Sequence, residues 1–193
     1  MRFLRSCVTP CLCSALLTGV ASAQAGVQST VSSLPAVSAA LAGAIGISIG
    51  SGAIQTLSAV TDNVANDFPS TVSITLTWDL HPSTASVQVI GYFTDPTAAM
   101  TSGAVAIPSS WLKGRVLTAG ALGAPTTYTA FTQNGGGGVG TAGGSLSLLT
   151  QPILGYSKAG SQTIDLQLQL DLVGRVLGAG TYSGTLNIRA VSQ

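Results

Sequence analysis

The chain has 193 residues, of which seven are Lys or Arg and six are Asp, and it has no Glu. The formal net charge is +1 and the charged residues lie singly, so the chain offers no basic patch to nucleic acid or to an anionic membrane surface. Low charge together with 24 glycines favours an extracellular β-protein, and little charge repulsion opposes its association with itself.

Residues 1–25 have the three parts of a secretory signal peptide. Arg2 and Arg5 form a basic start, an apolar stretch of about 15 residues follows, and two small-residue cleavage patterns end at Ala23 and Ala25. About 20 apolar residues are needed to cross a bilayer, so we expect no stable membrane span after cleavage. All three cysteines leave with this segment. The sequence therefore predicts a disulfide-free protein that is secreted to the periplasm or the cell surface.

Residues 26–43 are small and weakly polar, which predicts a flexible N-terminal leader before one domain of residues 44–193. The pattern then changes to period two, the mark of a strand with one buried face. The apolar residues of this segment, 41–50, are Leu41, Ile45, Ile47 and Ile49.

The clearest strand is residues 71–79, where Ser and Thr alternate with four apolar residues, Val72, Ile74, Leu76 and Trp78. Residues 86–93 form the next strand, with Val87 and Val89 on one side. The short turn at residues 81–84 between them predicts a β-hairpin. Residues 94–114 are predicted to be a loop, and residues 128–132 a short strand.

Two long alternating segments follow a glycine-rich tip at residues 134–144 and a strand at residues 145–150. In the first segment, residues 162–172, the side expected inside consists of Ile164, Leu166, Leu168, Leu170 and Leu172. In the closing strand it consists of Tyr182, Leu186, Ile188 and Ala190. Gly184 has the same parity, where a missing side chain lets a neighbour approach closely.

Seven or eight short strands, separated by turn signals and accompanied by little helix, predict an all-β fold. Each strand has one apolar and one polar side, which is typical of antiparallel sheets that pack on one face and meet water on the other. The sequence therefore predicts an antiparallel β-sandwich or barrel.

The closing run, residues 180–190, resembles the last strand of spore coat U-like proteins and of the related chaperone–usher pilus subunits. The residues that carry the resemblance are Gly180, Tyr182, Leu186 and Ile188. The resemblance implies an immunoglobulin-like sandwich that serves as a structural or adhesive subunit at the cell surface. It also implies self-association, or association with other surface subunits, by addition of a strand to an incomplete sandwich. The chain departs from this pattern in lacking a cysteine pair and in continuing through Val191–Gln193.

The resemblance leaves two interpretations of the N-terminal region. In one, a leader is followed by a first strand that pairs within its own chain. In the other, the segment 41–50 is a donor strand, and Leu41, Ile45, Ile47 and Ile49 fill the groove of a neighbouring subunit. Tyr182, Leu186 and Ile188 of the closing strand are further candidates for assembly by strand pairing.

Two motifs invite an enzymatic interpretation, and each lacks the structural context that it needs. Ser48 lies in a G-x-S-x-G pattern, but inside a period-two strand rather than at a strand-to-helix turn. A G-x-G-x-x-G pattern at residues 138–143 precedes a strand rather than a helix. His81 is the only histidine of the chain. We therefore predict no catalysis and no cofactor.

No metal site is predicted either. Asp62–Asn63 and Asn66–Asp67 offer oxygen atoms that suit calcium, but capped turns explain the same residues.

Aromatic residues in or near loops suggest an alternative function. Trp111, Tyr128 and Tyr156 are candidates to stack on sugars, as a carbohydrate-binding or adhesin module requires. Alternatively they cap the ends of the core, with their polar tips outward.

Overall fold

A computed structural model describes residues 25–31, 44–80, 85–155 and 158–193, and for residues 25–31 it describes the backbone only. The described residues form thirteen strands and a single 3-10 turn at Ser109–Trp111. None of them belongs to a helix with the length and hydropathy to cross a membrane. In chain order the strands are β1 (Ala25–Val31), β2 (Ala44–Ile49), β3 (Ile54–Leu57), β4 (Ala65–Asp67), β5 (Val72–Asp79), β6 (Ser86–Tyr92), β7 (Met100–Ser102), β8 (Val105–Ile107), β9 (Leu112–Val116), β10 (Thr129–Ala130), β11 (Ser145–Pro152), β12 (Ala159–Asp171) and β13 (Tyr182–Ser192).

The strands form two sheets that pack face to face as a β-sandwich, so the predicted all-β sandwich is confirmed. The first sheet has the order β11-β6-β13-β1-β3, with the β7–β8 pair attached to β13. The second has the order β10-β9-β12-β5-β2, with β4 attached to β12. All pairs among the described strands are antiparallel except one: β1 runs parallel to β13.

The buried sides of the long strands are the sides that the alternation predicts. On β5, β12 and β13 every residue predicted to point inward is buried. Leu166 of β12 and Leu186 of β13 are fully buried, one in each sheet. Each such side chain contributes about 1.5–3 kcal/mol relative to an exposed one, so these faces supply much of the stabilising free energy.

The hairpin predicted between β5 and β6 is wrong, because these two strands lie in different sheets. β5 pairs with β2 and β12, whereas β6 pairs with β11 and β13. Both strands occupy interior positions of their sheets, so each uses both edges for partners distant in sequence. The turn at residues 81–84 lies outside the described residues.

The loop predicted for residues 94–114 is also wrong in large part. It contains β7, β8, the 3-10 turn and the start of β9. The alternation of β9 is hidden because an inward position holds Gly114 instead of an apolar side chain. A Cβ at Gly114 would lie 3.0 Å from a methyl carbon of Leu166 and 3.3 Å from the ring of Phe131, so larger neighbours fill its place.

The glycine-rich segment at residues 134–144 folds back over the outer face of the first sheet. Val139 is buried there in a small apolar cluster with Ile90 and Val191. Gly135 and Gly140 have positive φ, and a Cβ on either would overlap Val139 or Ser145. Glycine is therefore required to fold this segment so tightly.

Candidate functional site

The first and last strands of the described chain meet in the middle of the first sheet. β1 lies between β13 and β3, parallel to the former and antiparallel to the latter. Ala25 is opposite Tyr182 and Leu57, and Gln28 is opposite Thr185 and Ile54. β1 therefore occupies a gap one strand wide.

Without β1 this gap would stay open. Among the described residues, β3 joins its sheet through β1 alone. On the side facing β1, the β13 residues 182–188 have no other described strand beside them, since β6 and β7 pair with the opposite edge. Removing β1 would leave two rows of backbone N–H and C=O groups facing each other. Unpaired strand edges readily accept another strand.

The strand-pairing candidates Tyr182, Leu186 and Ile188 all lie on β13 beside this gap, and all three are buried. The Tyr182 hydroxyl donates a hydrogen bond to the Gly178 carbonyl oxygen at 2.9 Å, which fixes the start of the strand. A pocket of about 130 Å³ lies at the start of β13, and its walls include Val60, Asp62 and Tyr182.

The predicted donor residues are not in this gap. Ile45, Ile47 and Ile49 lie on β2 in the other sheet, where they pair with β5 of the same chain and are partly buried. Leu41 lies outside the described residues. The strand that fills the gap, β1, begins at Ala25, the last residue of the predicted signal peptide, and its other residues belong to the segment predicted to be a leader. Its only sequence signal is a short alternation of Val27, Ser29 and Val31 with Gln28 and Thr30.

A cluster of polar groups lies on the outer face of the second sheet. The Lys113 ammonium is 2.8 Å from an Asp171 carboxylate oxygen, and the Arg175 guanidinium is 3.8 Å from the same oxygen. The Gln169 amide donates to the Asp67 carboxylate at 2.7 Å. The hydrogen bond from Lys113 is the main reason why the pKa of Asp171 is lowered from its usual value.

Two of the three predicted sugar-stacking aromatic residues border this cluster. The Arg175 guanidinium lies 4.8 Å from the centre of the Trp111 ring, and that of Arg115 lies 4.5 Å from the Tyr128 ring. Trp111 also packs against the core. Burial, with the nearby Asp67 carboxylate, raises the pKa of Tyr128. One face of each ring is thus covered by a cation of the same chain. Tyr156 lies outside the described residues.

Asp171→Asn is expected to lower the free energy of unfolding at neutral pH by at most about 1 kcal/mol, because a partly exposed ion pair stabilises little. The folded-state pKa of Asp171 is lowered, so its stabilising contribution is present above about pH 4 and is lost as the pH falls through the folded-state pKa. Urea unfolding at several pH values should show the two proteins converging in acid. Asp165→Asn, on the same strand and without an ion pair in the described chain, is the control; an equal loss there would contradict the assignment.

The remaining motif residues lie in ordinary structural positions. Ser48 is exposed on β2, and residues 138–143 form part of the loop between β10 and β11. Within the described ranges no three His, Cys, Asp or Glu side chains are grouped to hold a metal ion. The Asn66 side chain bonds to the backbone of Thr61 and Val64, which makes it a turn cap. His81 lies outside the described residues.

Comparison with known proteins finds no family model that matches the chain and no curated protein significantly similar to it.

Proposed function

We propose that the protein is an exported, non-enzymatic structural subunit that assembles at the cell surface by strand addition. The observation that carries this proposal is the gap between β13 and β3, which the N-terminal strand β1 fills. In this mechanism β1 of one copy enters the gap of the next copy, and the second copy donates its own β1 in turn.

The backbone pairs are the same whether β1 comes from its own chain or from another. Exchange of an identical element between copies therefore changes few contacts. The equilibrium between monomer and exchanged oligomer then depends on the segment that connects β1 to β2 and on the protein concentration. Residues 32–43 join β1 to β2 and reach at most about 40 Å when fully extended.

Head-to-tail exchange produces open chains rather than closed rings when the rotation between copies does not close. An immunoglobulin-like sandwich with an exchangeable strand suits such a subunit. The predicted signal peptide supports location outside the cytoplasm. The low charge supports close packing of copies, because few like charges meet.

The exchange can be tested with disulfides because the chain after residue 25 has no cysteine. Two single-cysteine proteins, Gln28→Cys and Thr185→Cys, are mixed, since these positions are opposite each other in the β1–β13 pair. We expect a disulfide-linked heterodimer after oxidation of the mixture. Thr163→Cys, on the other sheet, replaces Thr185→Cys in the control mixture.

Gln28→Pro provides a second measurement, because proline removes a backbone donor in the middle of β1. Electron microscopy and size-exclusion chromatography of the processed protein should show filaments or oligomers larger than a dimer, which this change abolishes and Gln28→Ser preserves. A wild-type protein that forms nothing larger than a dimer at high concentration, with no disulfide in the mixture, would exclude assembly by this strand.

A further inference from the structure

The outer edge of the second sheet is unusually open to pairing. β2 forms this edge and pairs only with β5 among the described residues. From residue 44 to residue 57 the chain has neither a charged residue nor a proline. Natural proteins protect exposed edges with charge, proline, bulges or short length. β2 has six residues and none of these protections.

The other described strands that pair on one side only are protected. β4 and β8 have three residues each. β10 has two residues and β3 has four. β11 is longer, but it has a register irregularity between Ser147 and Leu149 and ends at Pro152. The lack of protection is therefore specific to β2 among the described edges.

The apolar side of β2 is also incompletely covered. Ile74 and Leu76 of the neighbouring strand are buried, whereas Ile45, Ile47 and Ile49 are only partly buried. A strand added beside β2 would cover this apolar surface.

We propose that β2 pairs antiparallel with β2 of a second copy of this chain, which joins the two second sheets across a two-fold axis. A second copy fits because both edges are uncharged, so no like charges oppose each other. Residues directly opposite each other in an antiparallel pair point to the same face of the sheet. A register that sets isoleucine opposite isoleucine therefore places the apolar sides of both β2 strands on the inward face. This interface does not depend on the proposed exchange of β1.

Single cysteines and a short bismaleimide test this pairing in the processed full chain. Ser48 is exposed in the middle of β2, and Thr163 is its matched control, because Ser48, Thr75 and Thr163 lie in one row across three strands. We expect Ser48→Cys to give a covalent dimer whose yield rises with protein concentration. Thr163→Cys should give little. Ser48→Lys should weaken the dimer about tenfold in sedimentation, because it sets like charges on one edge.

Equal and low yields from the two cysteines in the Gln28→Pro background, with a monomer at all concentrations, would overturn the proposal. That result is also expected if residues 32–43 of the same chain cover β2. Pairing of β2 across a two-fold axis stops at a dimer, whereas exchange of β1 gives open oligomers to which further copies can add. Gln28→Pro should therefore abolish the open oligomers and leave the cross-linked dimer of Ser48→Cys. Ser48→Lys should weaken the dimer and leave the open oligomers. The two proposals can thus fail separately.

Discussion

Phe131→Ala is expected to lower the free energy of unfolding by about 3–5 kcal/mol. The Phe131 side chain is fully buried, and its ring meets that of Phe93 edge to face at a centroid distance of 5.2 Å. It lies between the sheets at a place where both supply a glycine. A Cβ on Gly91 would be 3.2 Å from the ring, and one on Gly114 would be 3.3 Å from it. Truncation would leave a cavity that neither glycine can fill.

Chemical unfolding of Phe131→Ala and Phe131→Leu measures this effect, and the leucine variant should lose much less. A double-mutant cycle tests the geometry, because residues in contact couple. Gly91→Ala should destabilise the wild type, since its Cβ crowds Phe131 and Leu148. It should cost less in the Phe131→Leu background. Additive changes would show that the ring does not occupy the space beside Gly91.

Gly184→Val is expected to destabilise the protein by about 3 kcal/mol, at the upper end of the usual cost of overfilling a packed site. A Cβ at this position would overlap the Ala99 carbonyl oxygen and lie 2.8 Å from the Met100 side chain. Valine is the better strand former by up to about 1 kcal/mol, so strand propensity and packing act in opposite directions. The packing effect is larger because the obstacle is backbone, which cannot turn away.

Thr185→Val is the matched control for Gly184→Val. Thr185 is the next residue of β13, is exposed, and is already β-branched, so its replacement should change stability by about 0.5 kcal/mol or less. Thermal and urea unfolding of both variants measure the difference. A Gly184→Val protein as stable as the control would mean that β7 does not pack against β13 as the structure has it.

Gly184 also connects stability with the proposed assembly. It is opposite Val27 in the β1–β13 pair and has the inward parity of β13. The start of β13 thus contacts β7 on one edge and β1 on the other. A change that displaces β13 is expected to reduce strand exchange as well as stability. Exchange should therefore be compared among variants of equal stability.

Part of the candidate site is predictable from sequence. The alternation of β13 and its closing motif place Tyr182, Leu186 and Ile188 on one buried side, as found. The strand that lies beside them is not predictable in this way. β1 is short, contains only two valines as large apolar residues, and pairs with a strand more than 150 residues away. Nothing local in β1 identifies such a partner.

The sequence by itself determined the class of fold and the buried faces of β5, β12 and β13. It could do so because alternation follows from the local geometry of an extended backbone, in which successive side chains point to opposite sides. It also determined that the surface has few charges.

Only the tertiary structure decided which strands are neighbours. It placed β5 and β6 in different sheets, set β1 between β13 and β3, and brought Gly91 and Gly114 to Phe131. The physical reason is that backbone hydrogen bonds are alike for every pair of strands. Partners are therefore selected by the packing of side chains from distant parts of the chain, which no local pattern encodes.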